Sequence, residues 1–225
     1  MKKIYSGFTV LSLLLVFSSA KTQVTDFQTR WGIEVSGELF NLIDVEVNPE
    51  IRFWDNSSRY ETFVTELEAS VPVTKYLRFG LLYRQEMQNK NQEYVHYGNR
   101  FGAFGQADYK IHRLKIAYRL IYQQEYMDWH TSESGYIPVI EHRHKVSLKY
   151  NIRKSKFEPS VAGEMFFTVR PESQNGKEKI RITAGLSYKL NKHNDISLQY
   201  KWQRELFENN PFTVNILGVT LSHDL

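Results

Sequence analysis

The sequence predicts an all-β fold, namely a single antiparallel up-and-down transmembrane β-barrel of about 10 to 12 strands, with 12 favoured. Polar and apolar residues alternate along successive segments, most of these segments are long, and their connections alternate between short and long. A strand turns successive side chains to opposite faces, so strict alternation produces one apolar face and one polar face. A closed barrel with lipid outside and a polar lumen inside suits both faces.

The N-terminal residues carry the features of a cleaved signal peptide. Lys2–Lys3 form a basic start, residues 8–17 form an apolar run, and Ser18–Ala20 supply small residues for cleavage. The apolar run is about half of the roughly 20 residues that a membrane-spanning helix needs. We therefore expect residues 1–20 to be removed, with a boundary as late as residue 23, and residues 21–225 to form one barrel domain.

Composition excludes several classes of site. The chain has no cysteine, so it has no disulfide, no cysteine nucleophile and no thiolate metal site. The formal net charge of +4 includes the lysines of the signal peptide, so no nucleic-acid partner is indicated. The mean hydropathy of -0.48 is compatible with a membrane barrel, because such a barrel hides polar side chains in its lumen and loops.

Eleven segments show the alternation of polar and apolar residues. In chain order they are Trp31–Phe40, Asp44–Trp54, Tyr60–Val71, Leu77–Gln88, Arg100–Tyr109, Leu114–Tyr126, Ile140–Tyr150, Phe157–Thr168, Lys179–Leu190, Ile196–Glu205 and Thr213–His223. Most reach the roughly 9 to 11 residues that a tilted strand needs to cross a membrane, and they exceed the five or six residues usual in soluble sheets.

The connections alternate in length along the chain. Tight turns are predicted at Val73–Tyr76, Lys110–Arg113, Asn151–Lys156 and Asn191–Asp195. Long polar loops are predicted at Asn89–Asn99, Met127–Val139 and Val169–Glu178. This pattern is typical of short periplasmic turns and longer extracellular loops.

The odd strand count conflicts with the even numbers of single-chain bacterial barrels. Two explanations remain open at this point. Either the stretch Val24–Asp44 contains one more crossing, or the N-terminal segment passes through the lumen.

Aromatic residues on the apolar face lie near the strand ends, as in the two interfacial girdles of membrane barrels. Tyr109, Tyr150 and Tyr188 precede short turns, and Phe101, Tyr122, Tyr126, Phe167 and Trp202 lie toward the long loops. The alternative is the core of a soluble β-sandwich, which would not explain the alternating loop lengths.

The polar face carries opposite charges that symmetric hairpins would bring together. The predicted lumen pairs are Glu66 with Arg84, Asp108 with Lys115, Arg143 with Glu164, Lys149 with Glu158, and Arg181 with Glu205. These pairs predict a narrow lumen that is braced and occluded by long side chains. The alternative is a selectivity filter for a small charged solute.

Enzymatic constellations are sparse. His142 and His144 lie close to Ser147 in the sequence, but the period of two places the histidines on the lipid face and the serine on the lumen face. Glu66, Glu68 and Glu86 are flanked by arginines, which favours salt bridges over acid-base catalysis. We therefore expect no catalytic, cofactor-binding or metal-binding residues and no cofactor, and the role of the two histidines stays open.

Four segments resemble an outer-membrane barrel family catalogued as domain of unknown function 2490. They are "KYLRFGLLYR", "RLKIAYRLIYQQEY", "VSLKYNIRKSKFEPSVAGEMFF" and "RITAGLSYKLNKHNDISLQYKWQRE". The resemblance covers nearly the whole mature chain. It implies a barrel in the outer membrane of a Gram-negative bacterium, and it implies no activity, because the family has none established.

The sequence thus favours a non-enzymatic, porin-like integral outer-membrane barrel that acts structurally, in surface contacts, or as a weak channel for a small solute. Its expected partners are outer-membrane lipid, lipopolysaccharide and the barrel-insertion machinery. One alternative is an outer-membrane enzyme that modifies lipid or lipopolysaccharide. Another is a periplasmic barrel that binds a small ligand, which would require an apolar interior.

Overall fold

The computed structural model describes residues 25–89, 95–128, 137–169 and 178–225. These residues form eleven strands: β1 Thr25–Leu39, β2 Ile43–Trp54, β3 Arg59–Pro72, β4 Leu77–Asn89, β5 Val95–Ile111, β6 Leu114–Met127, β7 Val139–Tyr150, β8 Phe157–Thr168, β9 Lys179–Lys189, β10 Asn194–Glu205 and β11 Thr213–Asp224. Within these ranges, no helix is long and apolar enough to cross a membrane. The predicted signal peptide, residues 1–20, and the centres of the three predicted long loops lie outside the described residues.

The strands form a closed barrel in which each strand pairs antiparallel with its neighbours in the chain, and β1 pairs with β11 in parallel. The preference for twelve strands and a fully antiparallel sheet is therefore wrong. In an up-and-down barrel with an odd number of strands, the first and last strands point the same way, so the closing pair must be parallel. This pair runs from Thr25 opposite Thr213 to Ser36 opposite Asp224.

Neither explanation offered for the odd count applies to the described residues. From Thr25 onward, the N-terminal stretch forms one strand in the barrel wall, between β11 and β2. A tight turn at residues 40–42 then leads to β2, so the stretch before Asp44 contains no second crossing among the described residues. The positive φ angles of Phe40 and Asn41 allow the chain to reverse over so few residues.

Each predicted segment corresponds to one observed strand. The largest differences are at β1, which begins at Thr25 where Trp31 was predicted, and at β5, which begins at Val95 where Arg100 was predicted. Both extensions are fixed by partners distant in the sequence. The extra residues of β1 pair with β11, beginning with Thr25 opposite Thr213. In β5, the Tyr97 backbone nitrogen donates a hydrogen bond of 2.9 Å to the side chain of Asp128.

The connections divide the barrel into two ends. The short-turn end has connections at residues 40–42, 73–76, 112–113, 151–156 and 190–193. The opposite end, called the long-loop end, contains the start of β1 and the remaining connections, including residues 90–94, 128–138 and 169–178. Two connections at the long-loop end are nevertheless short. One is residues 55–58, and the other is residues 90–94, where the long loop predicted at Asn89–Asn99 is reduced because β4 extends to Asn89 and β5 begins at Val95.

The period of two separates the side chains into an outer face and a lumen face. Large apolar side chains are exposed outside, such as Leu81 at 67% and Trp31 at 55%. Polar and charged side chains are buried inside, such as Gln123 at 2% exposed and Glu164 at 5%. A small apolar cluster of Leu82, Phe104 and Ile121 also faces the lumen. The barrel interior is thus mainly polar, the reverse of a soluble protein core.

Gly80 allows Phe104 of the neighbouring strand to lie flat against the wall. A Cβ atom at Gly80 would lie 2.5 Å from Phe104 Cζ and 2.7 Å from the Ala69 carbonyl oxygen. We expect Gly80→Ala to lower the free energy of unfolding by about 1–3 kcal/mol, because the ring must move and the backbone oxygen cannot. Urea unfolding of the purified barrel measures this change.

Gly163→Ala is the matched control for this substitution. A Cβ atom there would meet no atom within 4 Å. We expect its free energy of unfolding to stay within about 0.5 kcal/mol of the unsubstituted protein. Equal losses for the two substitutions would contradict the packing role assigned to Gly80.

Candidate functional site in the barrel lumen

The lumen contains a cavity of about 770 Å³. Residues from β1 through β10 line it, and they extend from Gln88 and Lys179 near the long-loop end to Lys149 and Ser160 toward the short-turn end. Each of these ten strands contributes polar positions because the alternation places them on the inside. The cavity therefore follows much of the length of the barrel.

Charge along the cavity is divided between two parts of the wall. The basic wall consists of β7 to β11 and β1, and its charged cavity-lining residues are Arg30, Arg143, Lys145, Lys149, Lys179, Arg181 and Lys201 with Glu141 and Glu164. The acidic wall consists of β2 to β6, and its charged cavity-lining residues are Arg52, Arg84, Arg100 and Arg119 with Glu46, Glu50, Glu66, Glu68, Glu86 and Glu125.

On the basic wall, two arginines share the carboxylate of Glu164. Arg143 donates to Glu164 Oε1 from Nε at 3.0 Å and from Nη2 at 2.7 Å. Arg181 donates from Nη1 to Glu164 Oε2 at 3.1 Å. The two guanidinium groups also lie beside the Phe166 ring, at 5.0 Å and 4.7 Å from its centroid. Glu164 thus fixes the geometry of three adjacent strands.

On the acidic wall, Glu86 occupies the centre of an arginine cluster. Arg84, Arg100 and Arg52 place nitrogens 3.5, 3.6 and 3.9 Å from Glu86 Oε1. Each of the first two arginines also has a closer carboxylate. Arg84 Nε donates to Glu66 Oε2 at 2.6 Å. Arg100 Nη2 donates to Glu125 Oε2 at 2.7 Å.

Among the described residues, three ion pairs join strands that are not neighbours, namely Arg119 with Glu68, Arg78 with Asp44, and Arg52 with Glu86, and the first is the shortest. Arg119 Nη2 on β6 donates to Glu68 Oε1 on β3 at 2.6 Å, across the inner surface of β4 and β5. The guanidinium carbon of Arg119 also lies 3.6 Å from the centroid of the Phe104 ring. This pair spans two intervening strands, whereas most of the other pairs join adjacent strands. Both of its side chains line the cavity.

The structure brings together four of the five predicted lumen pairs. Glu66 and Arg84 are directly opposite in the ladder. In the other three, long side chains meet diagonally because the register differs by two residues from a symmetric hairpin. The distances are 3.2 Å for Lys115 Nζ to Asp108 Oδ1, 3.6 Å for Lys149 Nζ to Glu158 Oε1, and 2.7 Å for Arg143 Nη2 to Glu164 Oε1.

The fifth predicted pair has different neighbours. Gln203 lies opposite Arg181, and its Oε1 accepts a hydrogen bond from Arg181 Nη2 at 2.6 Å. Glu205 lies opposite Lys179, and its carboxylate accepts a hydrogen bond from the Phe212 backbone nitrogen. The difference again is a register shift of two residues, which here substitutes an amide for a carboxylate.

Several contacts in the lumen were not predicted from the sequence. Arg52 Nε donates to Glu50 Oε1 at 2.6 Å, and the two residues are two apart on one strand, so their alternation could have revealed this pair. The pair of Arg119 with Glu68 gave no such signal, because 51 residues separate its members.

The predicted girdle aromatics all lie on the outer face. Near the short-turn end, Tyr109 packs against Tyr76 at 5.8 Å between ring centroids. Tyr188 packs there against Phe157 at 4.9 Å, and Tyr150 is 46% exposed. Toward the long-loop end lie Phe101, Tyr122, Tyr126, Phe167 and Trp202, of which Phe101 contacts Tyr126.

His142 and His144 point outward, and Ser147 points into the lumen and lines the cavity. His144 Nδ1 lies 2.8 Å from the Tyr118 hydroxyl, and His142 packs against Tyr122. The barrel wall therefore separates the histidines from the serine, and they cannot act as one nucleophile and base. In the part of the chain that the structure describes, no group of three histidine, aspartate or glutamate side chains could hold a metal ion.

The chain matches the model of a family described as "Protein of unknown function (DUF2490)" over residues 27–213. A comparison with curated proteins gives no match. Among solved structures, the NanC porin aligns with a TM-score of 0.50 and 14% identity, over 79% of this chain and 86% of the porin. The KdgM porin aligns with a TM-score of 0.46 and 14% identity, over 78% and 89%. At this identity, the likeness to the NanC porin concerns the fold alone.

The shared carboxylate of Glu164 generates a prediction about stability. Glu164→Gln leaves Arg143 and Arg181 without a balancing charge in a site where the glutamate is only 5% exposed. We expect the free energy of unfolding to fall by about 3–5 kcal/mol, as for a buried ion pair that loses one partner. Urea unfolding of the purified barrel measures the loss.

Glu158→Gln on the same strand is the control. Its partner Lys149 is 55% exposed, and Glu158 is 23% exposed, so water compensates for the lost charge. We expect a change below about 1 kcal/mol. If Glu164→Gln were as mild as this control, Glu164 would not organise the basic wall.

Proposed function

The chain belongs to the DUF2490 family of proteins of unknown function, and from that premise we propose that it is a non-enzymatic, porin-like integral β-barrel of the outer membrane, which acts as a weak channel for small polar solutes. The observation that carries the proposal is the charged cavity of about 770 Å³ that follows the lumen. Polar lumen walls with fixed charges are typical of pores that pass hydrated solutes.

The outer face supports insertion into a membrane. Leu81, Val161 and Leu198 on three different strands are at least half exposed, and each lies in a strand of the wall. Soluble proteins rarely leave so extensive an apolar surface in water. Lipid is the solvent that matches it, and the closed ladder leaves no free strand edge to face that lipid.

The proposed cellular location rests on the predicted signal peptide. We propose that residues 1–20 are cleaved on export and that residues 21–225 enter the outer membrane of a Gram-negative bacterium. Barrel-insertion machinery, lipid and lipopolysaccharide are its proposed partners there. The short-turn end would then face the periplasm and the long-loop end the exterior.

The lumen chemistry favours a weak channel over a wide pore. Arg119 and Glu68 form a pair that spans two intervening strands of the acidic wall, and the arginine cluster around Glu86 occupies the same wall. Such fixed charges leave room for small polar solutes and restrict their passage. A barrel with a purely structural role would not need a cavity of this kind.

The other functions considered from the sequence are less well supported. A lipid-modifying enzyme would need a histidine and a serine or carboxylate in contact at the rim, whereas the wall separates His142 and His144 from Ser147. A periplasmic binding barrel would need an apolar interior, whereas the interior here is lined by arginine, lysine and glutamate.

Cell fractionation tests the proposed location. We expect the full-length protein to remain with outer membranes after carbonate washing and to migrate faster in detergent gels before boiling than after it, because a closed ladder resists unfolding until heated. A periplasmic protein serves as the washing control. Recovery of the protein as a soluble periplasmic monomer would contradict membrane insertion.

Planar bilayer recordings test the channel. We expect the unsubstituted barrel to show a small conductance. Replacing Arg119 and Glu68 together by alanine should raise the conductance roughly twofold or more. The reason is that two long side chains leave the cavity lining and neither charge loses its partner.

Replacing Arg84 and Glu66 together by alanine is the matched control. This pair has the same chemistry but joins directly opposed residues of adjacent strands along the wall. We expect a smaller increase in conductance than for the Arg119 and Glu68 variant. Absence of current from both the unsubstituted barrel and the Arg119 and Glu68 variant would refute the channel.

A further inference from the structure

The charges that line the cavity are distributed unequally between the two walls. Among the described cavity-lining residues, the basic wall carries seven cationic side chains and two carboxylates, a net charge of +5. The acidic wall carries four cationic side chains and six carboxylates, a net charge of -2. A solute in the lumen therefore meets an excess of positive charge on one side only.

On the basic wall, the excess cations have few carboxylates to share. Glu164 already accepts hydrogen bonds from both Arg143 and Arg181. Lys145 lies opposite Glu164 in the ladder and lines the cavity, yet its amine has no hydrogen bond or ion pair within the described ranges. Both oxygens of Glu164 are therefore already bound by arginines, and Lys145 is left without an ion pair among the residues described.

Carboxylates are also too few for the neighbouring cations where β1 pairs with β2. Glu50 Oε1 accepts a hydrogen bond from Arg52 at 2.6 Å, so Arg30 reaches the same oxygen only at 3.8 Å. The Nε atom of Arg30 is buried and has no hydrogen-bond partner among the described residues. A buried donor without an acceptor is unfavourable, and an oxygen ligand in the lumen would satisfy it.

Lys201 connects these two places. It lines the cavity, and its amine has no ion pair or hydrogen bond in the part of the chain that is described. It lies on β10, with β11 between it and Arg30 on β1, and with β8 and β9 between it and Lys145 on β7. β11 lies between the strands that carry Arg30 and Lys201, with Gly218 opposite Arg30 and Ile216 opposite Lys201.

From this arrangement we infer that the basic wall is a binding site for small oxyanions, with Lys145, Lys201 and Arg30 as its contacts. The inference rests on the proposed function in taking the solute from the lumen. Carboxylate or phosphate oxygens would accept charge-assisted hydrogen bonds from these groups and reduce the repulsion among them. The acidic wall opposite would repel an anion, which favours its passage along the basic wall.

Two measurements test the site, and the first does not require conduction. Inorganic phosphate should raise the unfolding temperature of the purified full-length barrel at matched ionic strength, because a ligand that binds the folded state stabilises it. In the variant with Lys145→Gln and Lys201→Gln, about tenfold more phosphate should be needed for the same rise, as expected for two lost charge-assisted contacts.

The second measurement is the reversal potential in a potassium chloride gradient. The unsubstituted barrel should prefer chloride to potassium, and the double variant should lose most of this preference. The control is Lys154→Gln with Lys192→Gln, which removes two exposed charges from connections at the short-turn end, at positions outside the cavity lining. We expect it to leave both the phosphate effect and the anion preference essentially unchanged.

The outcomes separate this inference from the proposed function. Stabilisation by phosphate that depends on Lys145 and Lys201, without any current, would support the anion site and overturn the channel. Current without anion preference, together with either no phosphate effect or an equal loss of that effect in the control variant, would overturn the anion site and retain the channel.

Discussion

Closure of the hydrogen-bonded ladder is the constraint on which the rest of this structure depends. Every strand has two neighbours, so backbone donors and acceptors along the wall are paired without a free edge. Because there are eleven strands, closure requires β1 and β11 to run in parallel. The start of β1 therefore lies at the long-loop end, and the chain ends after β11 at the short-turn end, where the Leu225 nitrogen donates to the Ser36 carbonyl. Closure also separates an inner from an outer face, which is what gives the alternation its meaning.

The lumen solves a second problem, which is how to place many charged side chains inside a narrow space. An isolated charge in such a place would be costly, so most carboxylates contact at least one arginine, and some contact several. Arginine suits this role because its planar fork donates to two acceptors and stacks on Phe104 or Phe166 at the same time. The residual imbalance is concentrated on one wall, around Lys145, Lys201 and Arg30.

Sequence reasoning reached much of the candidate site because the strand period is local. It placed Arg143, Glu164 and Arg84 on the lumen face and brought neighbouring hairpin partners within reach of each other. It paired Arg181 with Glu205 because it assumed symmetric turns, and a shift of two residues put Gln203 there instead. It had no means of detecting the contact of Arg119 with Glu68, or the position of Arg30 and Lys201 on the two strands that flank β11. These arrangements depend on the curvature and closure of the sheet, which no local pattern records.

By itself, the sequence determined the eleven strands, their inner and outer faces and the alternation of short and long connections, since a period of two and the turn residues act over only a few positions. Only the tertiary structure decided the parallel closure of β1 on β11, the register of each hairpin and the division of charge between two walls. The physical reason is that these properties arise when strands distant in the sequence become neighbours. Pairing fixes the register to satisfy backbone hydrogen bonds, and the curvature of the closed sheet then selects which lumen side chains meet.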